Sequence, residues 1–322
     1  MHQNRLPLVS VIIVNWNSKA FLRKCLDKLF SNEEKVLFEV IVIDNASNDG
    51  TSEMVEKEFP DVRFFQLSEN LGFAGANNLA SKKAQGQVLL FLNPDTEPSP
   101  GTLGILAEIV IKEKEAGAAG CLLLNSDGSV QLSSLMPFPT ITNEILDNEF
   151  LIKLFKNSDF WGVKALFSKQ KIEMTPVKVI SGACLAVKKD DFDTIGGFSE
   201  DYFMYSEDVD LCFRLHKLGK TNLYTNRCTV VHHGGGSAKQ HPVSAFSTKM
   251  MLESKKKYFR KNHGPFYAFL FCIAIMLVSL ARLILITISF PAILGRGFTR
   301  LKNMYRKWAI SLLWSCSNLR EW

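Results

Sequence analysis

The chain has 322 residues, of which 47% are hydrophobic, and it carries a formal net charge of +6. This length can bury one large core or two smaller ones, and the hydrophobic content excludes an intrinsically disordered chain. The basic residues concentrate toward the C-terminus, which indicates an anionic surface as partner and argues against a nucleic-acid groove. We therefore expect no nucleic-acid partner.

The seven cysteines show no paired C-x-x-C spacing, which argues against a zinc cage and against a redox dithiol. Most of them lie in apolar runs, as small core residues in a reducing compartment do. The N-terminus lacks the pattern of a signal peptide before its first apolar run. The first domain is therefore expected to stay in the cytoplasm.

Continuous apolar runs separated by helical patterns fill the first 124 residues, which predicts an alternating α/β domain. The predicted strands are residues 9–14, 40–43, 62–67, 88–92 and 119–124. The first run ends at the polar stretch 15–18 and the second at 44–47, and a helix is predicted after each. Polar residues thus follow the strand ends of this βαβ unit.

The fourth apolar run ends at Asn93-Pro94-Asp95. Open α/β sheets bind ligands beyond the carboxyl ends of their strands, so Asp95 is interpreted as a metal ligand that faces a diphosphate. A solvated turn is the alternative interpretation, because Asn-Pro and Pro-Asp are both turn-forming pairs.

Two glycine-containing stretches allow the backbone to approach a ligand closely. Residues 70–78 form a small-residue turn before a helix, although tight packing of a helix on a sheet requires the same residues. The strand predicted at 177–187 is interrupted at Ser181-Gly182, where a glycine often marks a bulge or a ligand contact. Residues 133–175 between these stretches have no clear period, and no elements are predicted there.

Three acids, Glu207, Asp208 and Asp210, stand in the first turn of a predicted helix. Acids at this place complement the helix dipole, and Asp210 can pair with Arg214 four residues later. Asp208 differs from the other two because it shares a helix face with Cys212, so it points toward the packed side.

Two further strands, at 221–224 and 229–231, are predicted to lead into His232-His233 and a run of glycines. A histidine at this place is either a satisfied surface residue or a metal ligand whose backbone neighbours approach a phosphate. The histidine pair alone does not decide between the two.

Six motifs stand in a fixed order along the chain. They are VSVIIVNWN, VIDNASNDGT, ENLGFAGANN, LLFLNPDTEP, ISGACLAVKKDDFDTIGGFSEDYFMYSEDVDLCFRLHKLG and VVHHGGGS. Together they closely resemble the inverting family-2 glycosyltransferases of GT-A fold, and in particular the bacterial rhamnosyltransferase-like branch. The resemblance covers residues 7–240 and implies a Rossmann-like domain with a mostly parallel mixed sheet.

The resemblance implies two sets of nucleotide-binding residues. The set that matches positions holding the nucleoside is Asn15, Trp16, Asp44 and Ser47. Within it, Trp16 stands where an aromatic ring stacks on the base. The set that matches the stretch lining the nucleotide pocket is Asn70, Gly72 and Asn78.

By the same resemblance, Asp95 matches the last acid of the D-x-D motif that holds Mg²⁺ or Mn²⁺ on the sugar diphosphate. Asn93 replaces the first acid of the motif here, a departure common in this branch, so one carboxylate remains where the motif has two. His232 matches a position that can complete the metal shell, and His233 fits that position less well.

Asp208 matches the catalytic base in the Glu-Asp motif of the family, and Glu207 and Gly182 are expected to support the base or the acceptor. A single inverting displacement requires one carboxylate to take the proton of the acceptor hydroxyl, whereas a glycosidase requires two paired carboxyls. The resemblance therefore implies transfer of a sugar, rhamnose-like, from a nucleotide-diphosphate donor to a lipid-linked glycan. The product class is bacterial cell-surface polysaccharide: O-antigen, capsule or cell wall.

Two other functions compete with sugar transfer. A sugar nucleotidyltransferase shares the α/β domain but needs a Gly-rich basic loop after its first strand, and NWNSKA at 15–20 is not such a loop. A non-catalytic, membrane-anchored nucleotide-sugar-binding protein does not require both Asp95 and Asp208.

The last sixty residues are predicted to associate with a membrane. Residues 266–281 form an apolar run that Arg282 interrupts, and 283–293 continue it between two basic flanks. A single span would place one basic flank outside, whereas a re-entrant or interfacial hairpin keeps both on the cytoplasmic face. A buried helical hairpin in a soluble homodimer is the alternative. The predicted domains are thus 1–262, which is catalytic, and 263–322, peripheral or monotopic at the inner membrane.

Overall fold

The computed structural model of the protein describes residues 8–32, 34–146, 149–168, 170–234, 245–289 and 298–320. The chain forms two compact units. The first comprises Met1–Phe138, Ile152–Phe203 and Glu207–Ser237, and the second comprises Pro139–Leu151, Met204–Ser206 and Ala238–Trp322. The predicted boundary after residue 262 remains a prediction. The described residues just before it, from Ala245 onward, group with the C-terminal helices in the second unit.

The strands of the first unit are β1 (Val9–Asn15), β2 (Phe38–Asp44), β3 (Arg63–Gln66), β4 (Val88–Leu92), β5 (Thr96–Pro98) and β6 (Ala116–Leu124). They continue with β7 (Leu135–Met136), β8 (Thr175–Val177), β9 (Val179–Ile180), β10 (Cys184–Lys188) and β11 (Thr221–His232). The five strands predicted up to residue 124 are confirmed, although β3 is shorter than predicted. Two later predictions need correction.

The run 177–187 is not one strand, because the chain turns at 181–183 between β9 and β10. There the N–H of Ser181 donates to the carbonyl of Ser134, and the N–H of Cys184 donates to the carbonyl of Ser181. Conversely, the two strands predicted at 221–224 and 229–231 are the single strand β11. Its pairing with β6 shifts register between Thr225 and Thr229, and this irregularity interrupts the sequence pattern without ending the strand.

Nine strands form one sheet in the order β3-β2-β1-β4-β10-β6-β11-β5, with β8 paired to β11. Strands β1 to β4 are mutually parallel, β11 runs parallel to β6, and β5, β8 and β10 are antiparallel to their neighbours. This confirms the predicted mostly parallel mixed α/β sheet. The carboxyl ends of β1, β2 and β4 lie at one edge of the sheet, which we call the polar edge.

The helices of the first unit are α1 (Lys19–Ser31), α2 (Thr51–Glu58), α3 (Gly72–Ser81), α4 (Thr102–Lys112), α6 (Glu149–Leu154, partly), α7 (Lys189–Thr194) and α8 (Glu207–Lys217). Short 3₁₀ turns at 132–134, 159–161 and 164–167 lie in the region where no element was predicted, together with β7 and α6. The continuous runs are apolar because both sheet faces are covered. Consecutive residues of β1 and β4 are buried, among them Val11, Ile12 and Ile13, and Leu22 and Leu26 of α1 cover one of the two faces.

The second unit contains α5 (Ile141–Ile145), α9 (Ala245–His263), α10 (Pro265–Ser289) and α11 (Phe298–Leu319). Helix α10 continues through Arg282 to Ser289, so the apolar residues before and after Arg282 belong to one helix. The end of the predicted run, at 290–293, lies outside the described residues. Among the described helices one, over Pro265–Ile288, has the length and hydropathy needed to cross a membrane.

Candidate active site

The ends of β1 and β2 are joined by hydrogen bonds around the carboxylate of Asp44. Asn15, which is paired with Asp44 in the register, donates from Nδ2 to Oδ1 of Asp44 at 2.8 Å. Ser47 donates to the same carboxylate twice, from its backbone N–H at 2.9 Å and from Oγ at 2.7 Å. Both Asn15 and Asp44 have no solvent exposure. Three of the predicted nucleoside-binding residues therefore form one buried cluster that fixes the turn at 44–47.

Trp16 stands beside this cluster with 48% of its surface exposed. Its neighbour Asn17 has φ of 48° and donates from its backbone N–H to Oγ of Ser47 at 2.8 Å. The turn thus leaves the aromatic ring of Trp16 exposed beside the buried cluster, in which Oδ1 of Asn15 has no hydrogen-bond partner among the described residues. Contact of Trp16 and of the cluster with a nucleoside remains a prediction.

The turn before α3 is held by Asn45, which sequence reasoning did not single out. Its side chain donates to the carbonyl of Gly72 at 3.1 Å and accepts from the N–H of Leu71 at 3.3 Å. Asn70 caps the same turn by accepting from the N–H of Gly72 at 2.8 Å. The signal was present, because Asn45 lies inside the VIDNAS motif between two residues that were chosen.

Gly72 has φ of +72°, and a Cβ there would lie 2.6 Å from the carbonyl oxygen of Phe203. Asn78 ties α3 to the segment 198–200: its amide accepts from the N–H of Phe198 and donates to the carbonyl of Phe198, both at 2.9 Å. It also donates to Oε1 of Glu200 at 2.9 Å. The described contacts of Asn78 are therefore internal, and its contact with a nucleotide remains a prediction.

Asp95 and His232 lie side by side at the polar edge. Oδ1 of Asp95 is 3.2 Å from Nε2 of His232, and both side chains are largely buried, at 12% and 14% exposure. The antiparallel pairing of β5 with β11 produces this contact, because Thr96 is opposite His232 in the register. Two residues that are distant in sequence are therefore brought together by one strand pair.

The tautomer of His232 follows from its other ring nitrogen. Nδ1 lies 2.7 Å from Oε1 of Gln131, an atom that can only accept, so Nδ1 carries the hydrogen. In the neutral imidazole, Nε2 is then a lone-pair acceptor, consistent with the amide of Asn93 at 3.3 Å. This lone pair and the Asp95 carboxylate face each other, and a cation or a proton between them removes the repulsion.

The donor set therefore fits a divalent ion, since carboxylate oxygen with imidazole nitrogen suits Mn²⁺ and also admits Mg²⁺. Among the described residues no group of three or more His, Cys, Asp or Glu side chains could hold a metal. The protein supplies two ligands here, and the remaining positions would be filled by water or by the ligand's own oxygens.

His233 is held away from this pair. Its Nε2 is 2.8 Å from Oε1 of Glu97, and its Nδ1 is 2.9 Å from Oγ of Ser126. Its backbone N–H donates to the carbonyl of Asp95 at 2.9 Å, so it supports the position of β5. Of the two adjacent histidines, His232 is the one whose imidazole faces the Asp95 carboxylate.

Asp208 lies in the first turn of α8 and is oriented by backbone donors. The N–H of Gly182 donates to Oδ2 at 2.9 Å, and the N–H of Val209 donates to Oδ1 at 2.8 Å. The carbonyl of Ala183, the residue after Gly182, accepts from the N–H of Asn93 at 3.0 Å. The carboxylate of Asp208 is therefore linked through 182–183 to the segment that carries Asp95.

Burial sets the protonation of the two neighbouring carboxyls. Desolvation raises the pKa of Asp208 above its ordinary value of 3.8, opposed by the N–H groups of Gly182 and Val209. Desolvation, and then the charge of Asp208, raise the pKa of Glu207 to about 8. Oε2 of Glu207 is buried and has no hydrogen-bond partner in the described part of the chain. With this raised pKa, Glu207 is largely neutral at neutral pH.

Asp210 has a structural role. Its Oδ2 accepts from Nε of Arg214 at 2.6 Å, and its Oδ1 accepts from the hydroxyl of Tyr202 at 3.2 Å. The pairing predicted at i,i+4 is therefore present. Of the three acids in this turn, Asp208 is the partly exposed one, and Glu207 and Asp210 are buried.

Comparison with known proteins gives a consistent result. The family model described as Glycosyl transferase family 2 matches residues 10–196. An N-acetylglucosaminyl-diphospho-decaprenol L-rhamnosyltransferase of Mycobacterium tuberculosis is 30% identical over 250 residues, which cover 74% of this chain and 80% of that protein. Rhamnosyltransferase WbbL of Escherichia coli is 25% identical over 261 residues, covering 79% and 92% of the two chains.

A solved structure shares the fold. The mannosyltransferase PcManGT of Pyrobaculum calidifontis, in complex with GDP-Man and Mn²⁺, aligns with a TM-score of 0.56 at 17% identity. The alignment covers 98% of this chain and 88% of that one. At this identity the likeness concerns the fold alone.

Proposed function

The chain belongs to glycosyl transferase family 2, and we propose that it transfers a rhamnose-type sugar from a nucleotide-diphosphate donor to a lipid-linked saccharide, with inversion at the anomeric carbon. The observation that carries the proposal is the linkage at the polar edge between Asp208, which backbone N–H groups orient, and the segment of Asp95 and His232. The similarity to two rhamnosyltransferases supports the choice of sugar.

Asp208 acts as the general base. Its carboxylate takes the proton of an acceptor hydroxyl as that oxygen forms a bond to the anomeric carbon. The bond from the anomeric carbon to the diphosphate breaks, and its electron pair leaves with the nucleoside diphosphate. The raised pKa of Asp208 brings the base closer to the working pH, where a general base is most effective. Neutral Glu207 adds no second negative charge beside the base.

Asp95 and His232 would hold a divalent ion, Mg²⁺ or Mn²⁺, through Oδ1 and Nε2. When bound, such an ion supplies neutralisation of the charge that develops on the departing diphosphate. Gln131 holds the imidazole of His232 in the tautomer that presents Nε2. Because Asn93 is neutral, the protein contributes one carboxylate, and the donor's diphosphate would contribute the rest of the negative charge.

Donor binding is assigned to the loops that follow β1, β2 and β3. The exposed ring of Trp16 stacks on the base, and the turn fixed by Asp44 and Ser47 holds the nucleoside beside it. The turn at Asn70 and Gly72 brings backbone close to the nucleotide, with Asn78 supporting it from α3.

The acceptor is a lipid-linked glycan, as the name of the mycobacterial relative indicates for that protein. We place the reaction at the cytoplasmic face of the inner membrane, where the enzyme is peripheral or monotopic, in the synthesis of O-antigen, capsule or cell wall. A non-catalytic binder of nucleotide sugars is the competing function.

A two-part experiment tests the proposal. Thermal unfolding is followed with a panel of nucleotide sugars, with Mn²⁺ and with EDTA, since a ligand that binds only the folded state raises Tm. The donor that stabilises the protein is then supplied with a lipid-linked N-acetylglucosaminyl diphosphate. We expect nucleotide-activated rhamnose to stabilise the protein and to be transferred. Stabilisation without transfer or donor hydrolysis would favour the non-catalytic binder.

A further inference from the structure

Helix α10 presents an exposed apolar face along its whole length. Six of its large apolar side chains are between 48% and 71% exposed: Phe266, Leu277, Leu280, Ile284, Leu285 and Ile288. Leu277, Leu280, Ile284 and Ile288 recur at spacings of three and four residues, which puts them on one side of the helix. At 1.5 Å per residue this helix is about 37 Å long. We call this surface the α10 outer face.

The opposite side of α10 is packed within the second unit. Ala268, Phe271 and Cys272 have no solvent exposure. The ring of Phe271 lies 4.8 Å from that of Phe259 in α9 and 6.2 Å from that of Trp314 in α11. Helix α10 is therefore one member of a three-helix bundle and is covered on one side only.

Arg282, the one charged residue of α10, is turned into the bundle. Its guanidinium stacks over the ring of Trp308 in α11 at 4.3 Å and donates to the carbonyl of Ile145 at 3.3 Å. The contacts of Phe271 with Trp314 and of Arg282 with Trp308 show that α10 and α11 run antiparallel. If α10 crossed a membrane, Arg282 would either lose its contact with Trp308 inside the hydrocarbon core or draw the basic helix α11 into the membrane as well.

The charge of the bundle matches an anionic surface. Helices α9, α10 and α11 contain eleven lysines and arginines and a single acid, Glu253. That acid is engaged inside the bundle, where Oε1 accepts from Nε1 of Trp314 at 2.5 Å. Exposed basic residues of α9 and α11 include Lys257, Arg260, Lys302 and Arg306. An apolar face bordered by basic helices is typical of surfaces that bind anionic lipid.

We propose that the α10 outer face inserts into the interfacial region of an anionic phospholipid bilayer, with α10 lying in the plane of the membrane and not crossing it. Its apolar side chains enter the boundary between head groups and acyl chains, and the basic side chains of α9 and α11 contact lipid phosphates. This inference rests on the proposed function, because membrane binding would bring the active site to a lipid-linked acceptor.

Vesicle co-sedimentation of the full-length protein tests the surface. We expect binding to vesicles of phosphatidylcholine and phosphatidylglycerol in equal parts, weaker binding to phosphatidylcholine alone, and loss of the difference at high salt. The double variant Leu277→Glu/Ile284→Glu should bind at least about ten-fold more weakly, because each inserted aliphatic side chain contributes a large part of the partition free energy. Leu37→Glu, at 56% exposure in the first unit against 57% for Leu277, is the matched control and should bind like wild type.

A topology experiment separates the in-plane helix from a span. Protein with an epitope tag after Trp322 is added to preformed sealed vesicles and treated with protease from outside. We expect the tag to be digested, since both ends of α10 stay on the outer side. A protected tag would overturn the in-plane arrangement.

Sedimentation velocity without lipid tests the other possible partner of the α10 outer face, a second copy of the chain. Wild-type dimers that the double variant converts to monomers, together with no vesicle binding by wild type, would assign the α10 outer face to a second copy of the chain and overturn the proposal. None of these measurements uses donor or acceptor. Their failure is therefore distinguishable from failure of the proposed sugar transfer.

Discussion

The backbone N–H of Gly182 donates to Oδ2 of Asp208 at 2.9 Å, across the gap between β9 and β10. The gap exists because residues 181–183 leave the sheet, which frees this N–H from ladder pairing. A Cβ at position 182 would touch Cβ of Asp208 at 3.4 Å, so the glycine also allows the two segments to lie close together. The interruption between β9 and β10 thus helps to orient Asp208, the proposed base.

Replacing Asp208 by Asn should reduce transfer by about 10² to 10⁴-fold, the usual contribution of general-base catalysis. The amide cannot take a proton from the acceptor, whereas donor binding involves other residues. Initial rates and donor Kd by calorimetry are the measurements. Asp190→Asn, an exposed acid in α7, is the control and should leave both unchanged. Wild-type turnover in the Asp208→Asn protein would remove it from the mechanism.

Replacing Asp95 by Ala should weaken Mn²⁺-dependent donor binding strongly, because neutral His232 alone cannot offset the charge of the cation. His232→Ala should weaken it more mildly. His233→Ala is the matched control, since that imidazole is bound to Glu97 and Ser126 and should matter little to the metal. Donor Kd with Mn²⁺ and with EDTA measures the effect. If chelator and Asp95→Ala both leave donor binding unchanged, the metal site is assigned wrongly.

The stability of the protein should depend on the protonation of Glu207. Its pKa is raised from 4.5 to about 8 in the folded state, so the unfolded chain loses this proton at lower pH than the folded one. The free energy of unfolding should therefore be highest below pH 4.5 on this account and fall as pH rises toward 8, by at most about 1.4 kcal/mol per pH unit.

Glu207→Gln removes this dependence because the amide stays neutral. Urea unfolding at about pH 5 and about pH 9, on either side of the raised pKa, is the measurement. As pH rises from about 5 to about 9, the free energy of unfolding of the variant should increase relative to that of wild type. A difference between the two proteins that is equal at both pH values would show that Glu207 is ionised in the folded state.

Replacing Gly72 by Ala should destabilise the first unit by about 2 to 4 kcal/mol, since both the left-handed backbone and the backbone oxygen of Phe203 oppose a Cβ. Gly101→Ala isolates the first term. Gly101 has φ of +79°, but the nearest atom that a Cβ there would meet is the flexible end of Ile105 at 3.8 Å. The control should lose about 1 kcal/mol in urea unfolding. Equal losses would mean that the segment at Phe203 yields without penalty.

Strand and site positions could be predicted from the sequence where one local pattern decided them. The strands ending at Asn15, Asp44 and Leu92 are largely apolar, and polar residues stand at or just after their ends. Asp95, His232 and Asp208 were predicted from the order of the motifs; the structure places Asp95 beside His232, and the roles of all three remain predictions. The α/β class was predicted from the same runs, and the mostly parallel sheet confirms it.

Other features depend on distant parts of the chain. The amide of Asn78 is committed to residues 120 positions away, and nothing near it in sequence indicates those partners. Strand β11 was predicted as two strands, because the residues at its register shift against β6 interrupt the apolar pattern as a turn would. The grouping of 139–151 and 204–206 with the C-terminal helices arises from packing alone, which local periodicity does not record.

The pairing of β5 with β11 has a consequence for the order of folding. Asn93 and His232, which meet at the polar edge, are 139 residues apart, and β11 is the last strand of the large sheet in the chain. Contacts of such long sequence separation form late and slowly. A ribosome-bound chain that has exposed β1 to β5 carries Asp95 without its partner imidazole. The pair that we propose as ion ligands is therefore complete only after β11 has docked, so capture of a divalent ion by this pair would report on completion of the sheet.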